Sequence, residues 1–420
     1  MSNKSKTGKA ENASAQGCVP KLRFPEFRDA GAWEEKKLGE FVEILSGESP
    51  SKFEFVKSGI PYYKVEQLND SDKYLITSTY NIKKTNKIAK KGSLIFPKRG
   101  ASILLNKIRI LSNDSYMDTN LMSLLPNNNI DNEFLYYFIL HVDLSKIADT
   151  TSIPQINNKH INPYKIYIPA PPEQQKIADC LSSLDEIIAA QAQKLDTLRA
   201  HKKGLMQQLF PAEGETFPKL RFPEFRDAGE WKIRELGDFI TERNQSPKEK
   251  LPLFSLTIED GVTPKTERYE RSFLVNNEDD AYKLVLPDDF AYNPMNLRFG
   301  AIGRHSGVEK VALSKYYNIF YCDKTVNSRF CEIYFKSCGM ITHYDNVATG
   351  SLIEKRRVHF SKFLKFNIRF PLLPEQDKIA DCLSSLDELI DTQGKKVDAL
   401  KVHKKGLMQQ LFPSIDEVDG

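Results

Sequence analysis

Long apolar runs are missing from this sequence. No window approaches the roughly 18 consecutive apolar residues that a bilayer-spanning helix needs. Residues 1–16, rich in Ser, Lys, Ala and Asn, lack the apolar stretch of a signal peptide. These absences exclude the patterns of membrane and secreted proteins. We therefore expect a cytoplasmic protein, with disorder in residues 1–18.

Signatures of catalysis are missing as well. The sequence has no Gly-x-x-x-x-Gly-Lys-Ser/Thr phosphate loop, so ATP hydrolysis is not predicted. Residues Asn293–Asn296 come nearest to the Asn-Pro-Pro-Tyr motif of adenine methyltransferases, but they lack the second proline and the aromatic residue. Pro287–Asp289 resembles the start of a nuclease motif without the Glu-x-Lys or Asp-x-Lys that should follow. We expect no catalysis by this chain.

Cysteine and histidine are poorly spaced for metal binding. No two of the six cysteines have the two-residue separation typical of a zinc site, and the seven histidines form no metal-spaced cluster. Cys180 and Cys382 occupy equivalent places in a sequence repeat, where we expect small buried hydrophobic residues. The formal net charge of +4 allows a polyanionic partner without requiring one.

Two blocks of sequence occur twice. Lys21–Gly31 returns unchanged as Lys219–Gly229, and Glu173–Pro211 returns with few changes as Glu375–Pro413. The stretches between these blocks align poorly with each other. A period of roughly 200 residues is too long for a solenoid, whose repeats span about 20 to 50 residues. The sequence therefore predicts two copies of one scaffold, each carrying a different insert.

The second repeated block predicts a coiled coil, because its apolar residues alternate at spacings of four and three. We expect two long helices that pack antiparallel, with Ile177 facing Leu411 and with Lys202 and Lys404 extending outward into water. The alternative is that each helix packs on its own insert. At about 1.5 Å per residue the seam spans roughly 48 Å, or about 14 base pairs of DNA. Its apolar positions are Ile177, Leu181, Leu184, Ile188, Leu195, Leu198, Ile379, Leu383, Leu386, Ile390, Val397 and Leu400.

This order of segments resembles the specificity subunits of type I restriction-modification enzymes. Each variable insert is followed by a proline-rich lead into Glu-Gln, PAPPEQQKIA at Pro169 and PLLPEQDKIA at Pro371, and then by a long helix. Segments inside the inserts are also similar to those of target recognition domains. They are IPYYKVEQL at Ile60, TSIPQINNKHI at Thr151, YNPMNLRFGAIG at Tyr292, SKYYNIF at Ser314 and TGSLIEKRRVHF at Thr349.

The resemblance implies an α/β (α+β) fold in which two target recognition domains are joined by two long antiparallel coiled-coil helices. The implied domains cover residues 19–170 and 212–372, and the helices cover 171–211 and 373–413, with a tail at 414–420. Each domain is expected to read one half of a bipartite DNA site. The helices are expected to set the spacer and to bind methyltransferase subunits.

The same resemblance implies the partners. They are double-stranded DNA, two adenine methyltransferase subunits and two ATP-driven restriction subunits. S-adenosylmethionine, ATP and Mg²⁺ are expected on those subunits, and no cofactor is expected on this chain. Two alternatives remain open: a recognition module of a type II-like restriction-methylation system, and a coiled-coil scaffold whose inserts bind proteins.

Basic and amide side chains in both inserts are the candidate DNA contacts, because cations bind phosphates and Arg, Asn and Gln read base edges. The alternative interpretation is a solvated basic surface together with ordinary turn formation. The candidates of the first insert are Lys98, Arg99, Gln155, Asn157 and Lys159. Those of the second are Asn296, Arg298, Arg304, His305, Lys355, Arg356 and Arg357.

Overall fold

The computed structural model describes residues 18–83, 86–150, 153–212, 214–265, 281–350 and 356–413. The chain forms two compact units, the first from residues 1–192 and 395–420 and the second from residues 193–394. In chain order the helices are α1 (Asn132–Val142), α2 (Asn158–Ile161), α3 (Pro171–Leu209), α4 (Ser328–Phe335), α5 (Cys338–Val347), α6 (Phe360–Phe363) and α7 (Leu373–Leu411). Within the described ranges, no helix is long and apolar enough to cross a membrane.

The first unit is built on a five-stranded sheet and a smaller four-stranded sheet. Its strands are β1 (Glu34–Lys37), β2 (Val42–Ser46), β3 (Phe55–Val56), β4 (Ile60–Tyr63), β5 (Tyr74–Leu75), β6 (Asn81–Ile82), β7 (Leu94–Pro97), β8 (Arg109–Leu111), β9 (Tyr116–Met117), β10 (Leu121–Pro126) and β11 (Lys165–Ile168). The larger sheet has the order β2-β10-β7-β8-β5, and the smaller has the order β3-β6-β4-β9. Strands β1 and β11 form a separate antiparallel pair.

Strand β7 is buried on both faces, which explains its uninterrupted apolar sequence. Successive strand residues point to opposite faces of a sheet. Leu94 and Phe96 accordingly lie in the main core with Phe134 of α1, whereas Ile95 lies in a smaller cluster with Leu121. Helix α1 and the small sheet thus cover opposite faces of the central sheet.

The second unit repeats this plan with different strands. They are β12 (Lys232–Glu235), β13 (Ile240–Glu242), β14 (Phe254–Thr257), β15 (Gly261–Pro264), β16 (Tyr282–Val285), β17 (Phe290–Tyr292), β18 (Ile302–Arg304), β19 (Val311–Ser314), β20 (Asn318–Cys322) and β21 (Asn367–Phe370). The central order is β13-β20-β17-β18, and β12 pairs with β21. In β17, Phe290 and Tyr292 lie in the main core while Ala291 lies in a smaller cluster.

The repeated Glu-Gln pair ties each insert to its long helix. The side-chain oxygen of Gln174 accepts from the N–H of Asp131, the residue that caps α1, at 2.9 Å. Gln376 accepts in the same way from the N–H of Asn327, which caps α4, also at 2.9 Å. The repeated Glu-Gln sequence therefore makes the same hydrogen bond in both units.

The long helices pack antiparallel within each unit. In the first unit Ile177 and Leu181 of α3 share a core with Leu411 of α7. In the second, Leu209 of α3 shares a core with Ile379 of α7. These contacts confirm the antiparallel helix pair.

Two details of the helix pair differ from expectation. Lys202 and Lys404 bind Asp387 and Asp185 on the facing helix instead of extending only into water, because each lysine is close enough to the other helix to form an ion pair. Cys180 and Cys382 are half-buried and not fully buried.

The first repeated block closes the end of a long helix in both units. The N–H of Leu220 donates to the carbonyl of Gln208 at 2.9 Å, and the N–H of Leu22 donates to the carbonyl of Gln410 at the same distance. The predicted disorder of residues 1–18 falls outside the described residues except at Cys18, which forms an antiparallel bridge with Trp33. The predicted tail at 414–420 also falls outside them.

Candidate nucleic-acid interface

In the first unit, two distant segments meet at the end of β7. The N–H of Ile156 donates to the carbonyl of Lys98, and the N–H of Gly100 donates to the carbonyl of Pro154, both at 2.8 Å. Arg99 and Gln155 form the antiparallel bridge between these two contacts. We call residues 98–100 and 154–157 the first recognition frame. Its backbone is held from both sides, although its segments lie far apart in the sequence.

The second unit contains the same backbone arrangement. The N–H of Val358 donates to the carbonyl of Pro294 at 2.9 Å, as Ile156 does to Lys98. Arg357 forms an antiparallel β-bridge with Thr349, as Gln155 does with Asp149. We call residues 294–296 and 356–359 the second recognition frame. Gln155 and Arg357 are therefore equivalent positions, separated by the same shift that relates α3 to α7.

A short helix follows each frame and anchors it to the core. Helix α2 begins after Asn157, whose N–H donates to Nδ1 of His160 at 3.2 Å, and Ile161 of this helix is fully buried. Helix α6 begins after His359, and its Phe363 is fully buried. A buried apolar residue one turn into each helix thus holds the polar frame at the surface.

The two frames differ in the side chains that they expose. In the first, Arg99 and Asn157 are exposed and Gln155 is half-buried, with the exposed Lys159 beside them on α2. The exposed residues of the second frame are Asn296, Arg357 and His359. Guanidinium and amide groups are the side chains that pair with purine edges. One backbone plan therefore presents two different sets of hydrogen-bonding groups.

Three predicted arginines of the second unit are already used inside the fold. Arg304 donates to Glu332 at 3.0 Å and also pairs with Asp288 at 2.5 Å. Arg298 pairs with Asp345 at 3.3 Å and lies 4.3 Å from the ring centre of Phe299. The guanidinium of Arg356 donates to the carbonyl of Ala348 at 3.1 Å and to that of Asp345. These contacts fix the loop around the frame.

His305 and Lys98 are also restrained by their surroundings. The ring of His305 is 2% exposed, and its Nε2 lies 2.8 Å from the carbonyl of Glu309. A base contact by His305 would require this loop to move. Burial lowers the pKa of Lys98, although the charge of Asp118 acts in the opposite direction. Lys355 lies outside the described residues.

Exposed apolar side chains lie beside both frames and were not among the predicted contacts. Leu104 and Leu105, just after the first frame, are 58% and 62% exposed, and Ile153 is 53% exposed. Beside the second frame Phe299 is 52% exposed. Apolar residues in a sequence are ordinarily predicted to lie in the core, so only the fold shows that these are exposed. Such groups contact the methyl group of thymine in DNA complexes.

The seam residues of the long helices face inward. Of the twelve predicted positions, Ile177, Leu181, Leu195, Ile379, Leu383 and Val397 are buried. The other six are half-buried, namely Leu184, Ile188, Leu198, Leu386, Ile390 and Leu400. Apolar residues outside the seam are the ones left open: Ile187 is 48% exposed, Leu389 55% and Val402 72%. The exposed faces of the helices, and not the seam, are therefore accessible to a partner.

Metal ligands do not cluster in the described ranges. No group of three or more His, Cys, Asp and Glu side chains that could hold a metal ion occurs there. The frames consist instead of cationic, amide and apolar groups. This composition suits binding to a polyanion with readable base edges.

Comparison with known proteins links this chain to one family. Residues 31–200 match the family model for the type I restriction modification DNA specificity domain. The chain is 27% identical to the putative type I restriction enzyme MjaX specificity subunit of Methanocaldococcus jannaschii, with 90% of this chain and 92% of the relative covered. It is 24% identical to the MjaVIII specificity subunit of the same organism, with 93% of both chains covered.

Solved structures share the fold. The type I restriction-modification S subunit from M. genitalium matches with a TM-score of 0.54 and 14% identity, and the match covers 94% of this chain and 100% of that one. A chain from a study of complex assembly and conformational transition in a type I system matches with a TM-score of 0.55 and 16% identity, covering 91% and 98%. The predicted fold class is confirmed.

Proposed function

We propose that this chain is a specificity subunit of a type I restriction-modification enzyme and directs that enzyme to one bipartite DNA sequence. Each insert serves as a target recognition domain and reads one half of the site. The similar proteins named above are type I specificity subunits, which disfavours both a type II-like module and a protein-binding scaffold.

The observation that supports this proposal most directly is the pair of recognition frames. The backbone bonds of Gln155 and Ile156 recur at Arg357 and Val358, whereas the side chain changes from Gln155 in the first frame to Arg357 in the second. A duplicated frame with unlike side chains suits a protein that must read two different half-sites with equal geometry. A scaffold binding the same partner twice would need like side chains at these positions.

The long helices are proposed to set the spacer and to bind two methyltransferase subunits. Their seams are used by the helix pair, so the partner surface must be an outer face. Ile187 and Leu389 occupy equivalent positions on the two helices, and both are about half exposed. Equivalent apolar positions on repeated helices provide equivalent contacts for two copies of one partner.

Catalysis is assigned to the partner subunits. S-adenosylmethionine would bind to the methyltransferase subunits, and ATP with Mg²⁺ to two restriction subunits. The chain's own contribution is selection of the DNA sequence. The similarity to type I specificity subunits supports this division.

The test is genome-wide adenine methylation, read by single-molecule sequencing, in cells that express this chain with its cognate methyltransferase. We expect methylation at one asymmetric split motif, and none at that motif when the chain is deleted. If no motif depends on the chain, and its purified methyltransferase complex shows no salt-sensitive DNA binding, the proposal is wrong and the scaffold alternative replaces it.

A further inference from the structure

The arginines around the recognition frames divide into two groups. Arg298, Arg304 and Arg356 donate to carboxylates or carbonyls of their own unit. Arg99 and Arg357 are exposed, and in the part of the chain that the structure describes neither guanidinium has a hydrogen bond or an ion pair. An arginine held in an internal ion pair must give up that pair to contact DNA, whereas Arg99 and Arg357 lose only water.

Arg99 and Arg357 lie on opposite segments of the same backbone plan. Arg99 belongs to the early segment and bridges Gln155 on the late one. Arg357 stands on the late segment, at the position equivalent to Gln155. Each frame therefore carries one available guanidinium. In the first frame it lies on the early segment, and in the second frame it lies on the late segment. The backbone on which each stands is fixed by hydrogen bonds of 2.8 to 3.0 Å to another segment.

The neighbours of these arginines suit a DNA groove better than a phosphate. Arg99 forms a backbone bridge with Gln155, two residues after the exposed Ile153. The N–H of Val358, next to Arg357, donates to the carbonyl of Pro294, two residues before the exposed Asn296. Burial raises the pKa of Tyr316, and the charge of Arg357 acts in the opposite direction. The basic residues that precede Arg99 and Arg357 in the chain are less available, because Lys98 is half-buried and Arg356 donates to backbone carbonyls. Amide and apolar groups contact base edges and thymine methyl groups.

We propose that Arg99 and Arg357 are the specificity-determining residues that each read a guanine, one in each half-site. The guanidinium donates two parallel hydrogen bonds to O6 and N7 of guanine in the major groove. Because the backbone of each frame is already held by hydrogen bonds, it loses little conformational entropy when the contact with DNA forms. This inference rests on the proposed recognition of a bipartite site and assigns its readout to two residues.

The experiment measures the methylated motif and the DNA affinity of the full complex for Arg99→Gln and Arg357→Gln. Each variant should lose about tenfold or more of its preference for guanine at one position of one half-site, with the other half-site unchanged. The double variant should lose both preferences. Arg99→Lys and Arg357→Lys keep the charge but not the bidentate geometry, so they should also relax the motif.

Matched controls separate readout from general loss of charge. Lys57→Gln in the first unit and Lys324→Gln in the second remove a charge from exposed positions and should leave the motif unchanged. A phosphate contact at Arg99 or Arg357 would instead weaken binding to all sequences and reduce the salt dependence by about one ion. That outcome overturns the inference.

A variant that folds and methylates the unchanged motif overturns it as well. Both arginines are exposed, so thermal unfolding of Arg99→Gln and Arg357→Gln should match that of the unsubstituted chain. Failure of the inference differs from failure of the proposed function. In the first case the unsubstituted complex still reads a split motif, whereas in the second no motif depends on the chain at all.

Discussion

Arg23 binds the carboxylate of Glu173 through two hydrogen bonds, with 2.7 Å from Nε to Oε1 and 2.6 Å from Nη2 to Oε2. The indole N–H of Trp33 donates to the same carboxylate at 3.3 Å. The first repeated block is thereby joined to the start of α3 at a buried site. The second copy makes the same contacts through Arg221, Glu375 and Trp231.

Glu173→Ala should destabilise the first unit strongly, because it leaves a nearly buried guanidinium and an indole N–H without their acceptor. Removing one partner of a buried ion pair costs about 3 kcal/mol or more. The measurement is urea unfolding of the purified chain, followed by tryptophan fluorescence in a Trp231→Phe background so that Trp33 alone reports. Glu26→Ala breaks the exposed pair with Lys176 and serves as the control, with little change expected. Equal effects from both variants would contradict the role of burial.

Exchange of Lys202 and Asp387 tests the register of the helix pair. Lys202→Asp alone places two acidic groups side by side, and Asp387→Lys alone places two basic groups together. The doubly exchanged chain restores the attraction, so the double-mutant cycle should show a coupling of about 0.5 to 1 kcal/mol. Thermal unfolding of the four chains provides the measurement. Strict additivity would show that these side chains do not meet.

Acid should weaken the first unit through His141. Its ring stacks on Phe412 at 5.5 Å between centres, and burial, helped by the charge of Lys146, lowers the pKa of His141 below its ordinary value of 6.5. The unfolded chain therefore binds the proton more readily, and stability falls as the pH drops below 6.5 toward the folded pKa. His141→Gln should flatten this dependence in unfolding measurements between pH 7 and roughly 5.

Substitution of Ile187 and Leu389 tests the proposed partner surface. Ile187→Asp or Leu389→Asp should each weaken binding of one methyltransferase copy about tenfold or more, which corresponds to at least about 1.4 kcal/mol. Titration by analytical ultracentrifugation or calorimetry counts the copies bound. Thr197→Asp, at another exposed helix position, is the matched control. Full binding of two copies by the double variant would place the methyltransferase elsewhere.

The helix pair could be predicted because the apolar spacing that defines it is local in the sequence and occurs twice. A spacing of three and four defines one seam, and a single antiparallel register places Ile177 near Leu411 and Lys202 near Leu386. The structure has Ile177 and Leu411 in one core, and it pairs Lys202 with Asp387, the next residue after Leu386. The ion pair was not predicted, because an acidic residue beside the seam looks solvated in the sequence.

The candidate DNA contacts could be predicted only as residue types. Arg298, Arg304, Arg356 and Arg357 look equivalent in the sequence, since all lie near glycines or in a basic cluster. Their differences arise from carboxylates supplied by α4 and α5, such as Glu332 and Asp345. The frames likewise join segments that no local pattern relates. Availability of a side chain is a tertiary property, and sequence spacing does not contain it.

Docking of Leu22 onto Gln410 has a consequence for synthesis on the ribosome. The first unit needs Leu411 and Phe412 in its core, and these residues are translated after the whole of the second unit. The second unit draws all its parts from residues 193–394 and is complete earlier. The first insert to leave the exit tunnel is therefore the last to close its core. A chain that terminates early would keep that core open, and a chaperone or protease could recognise it.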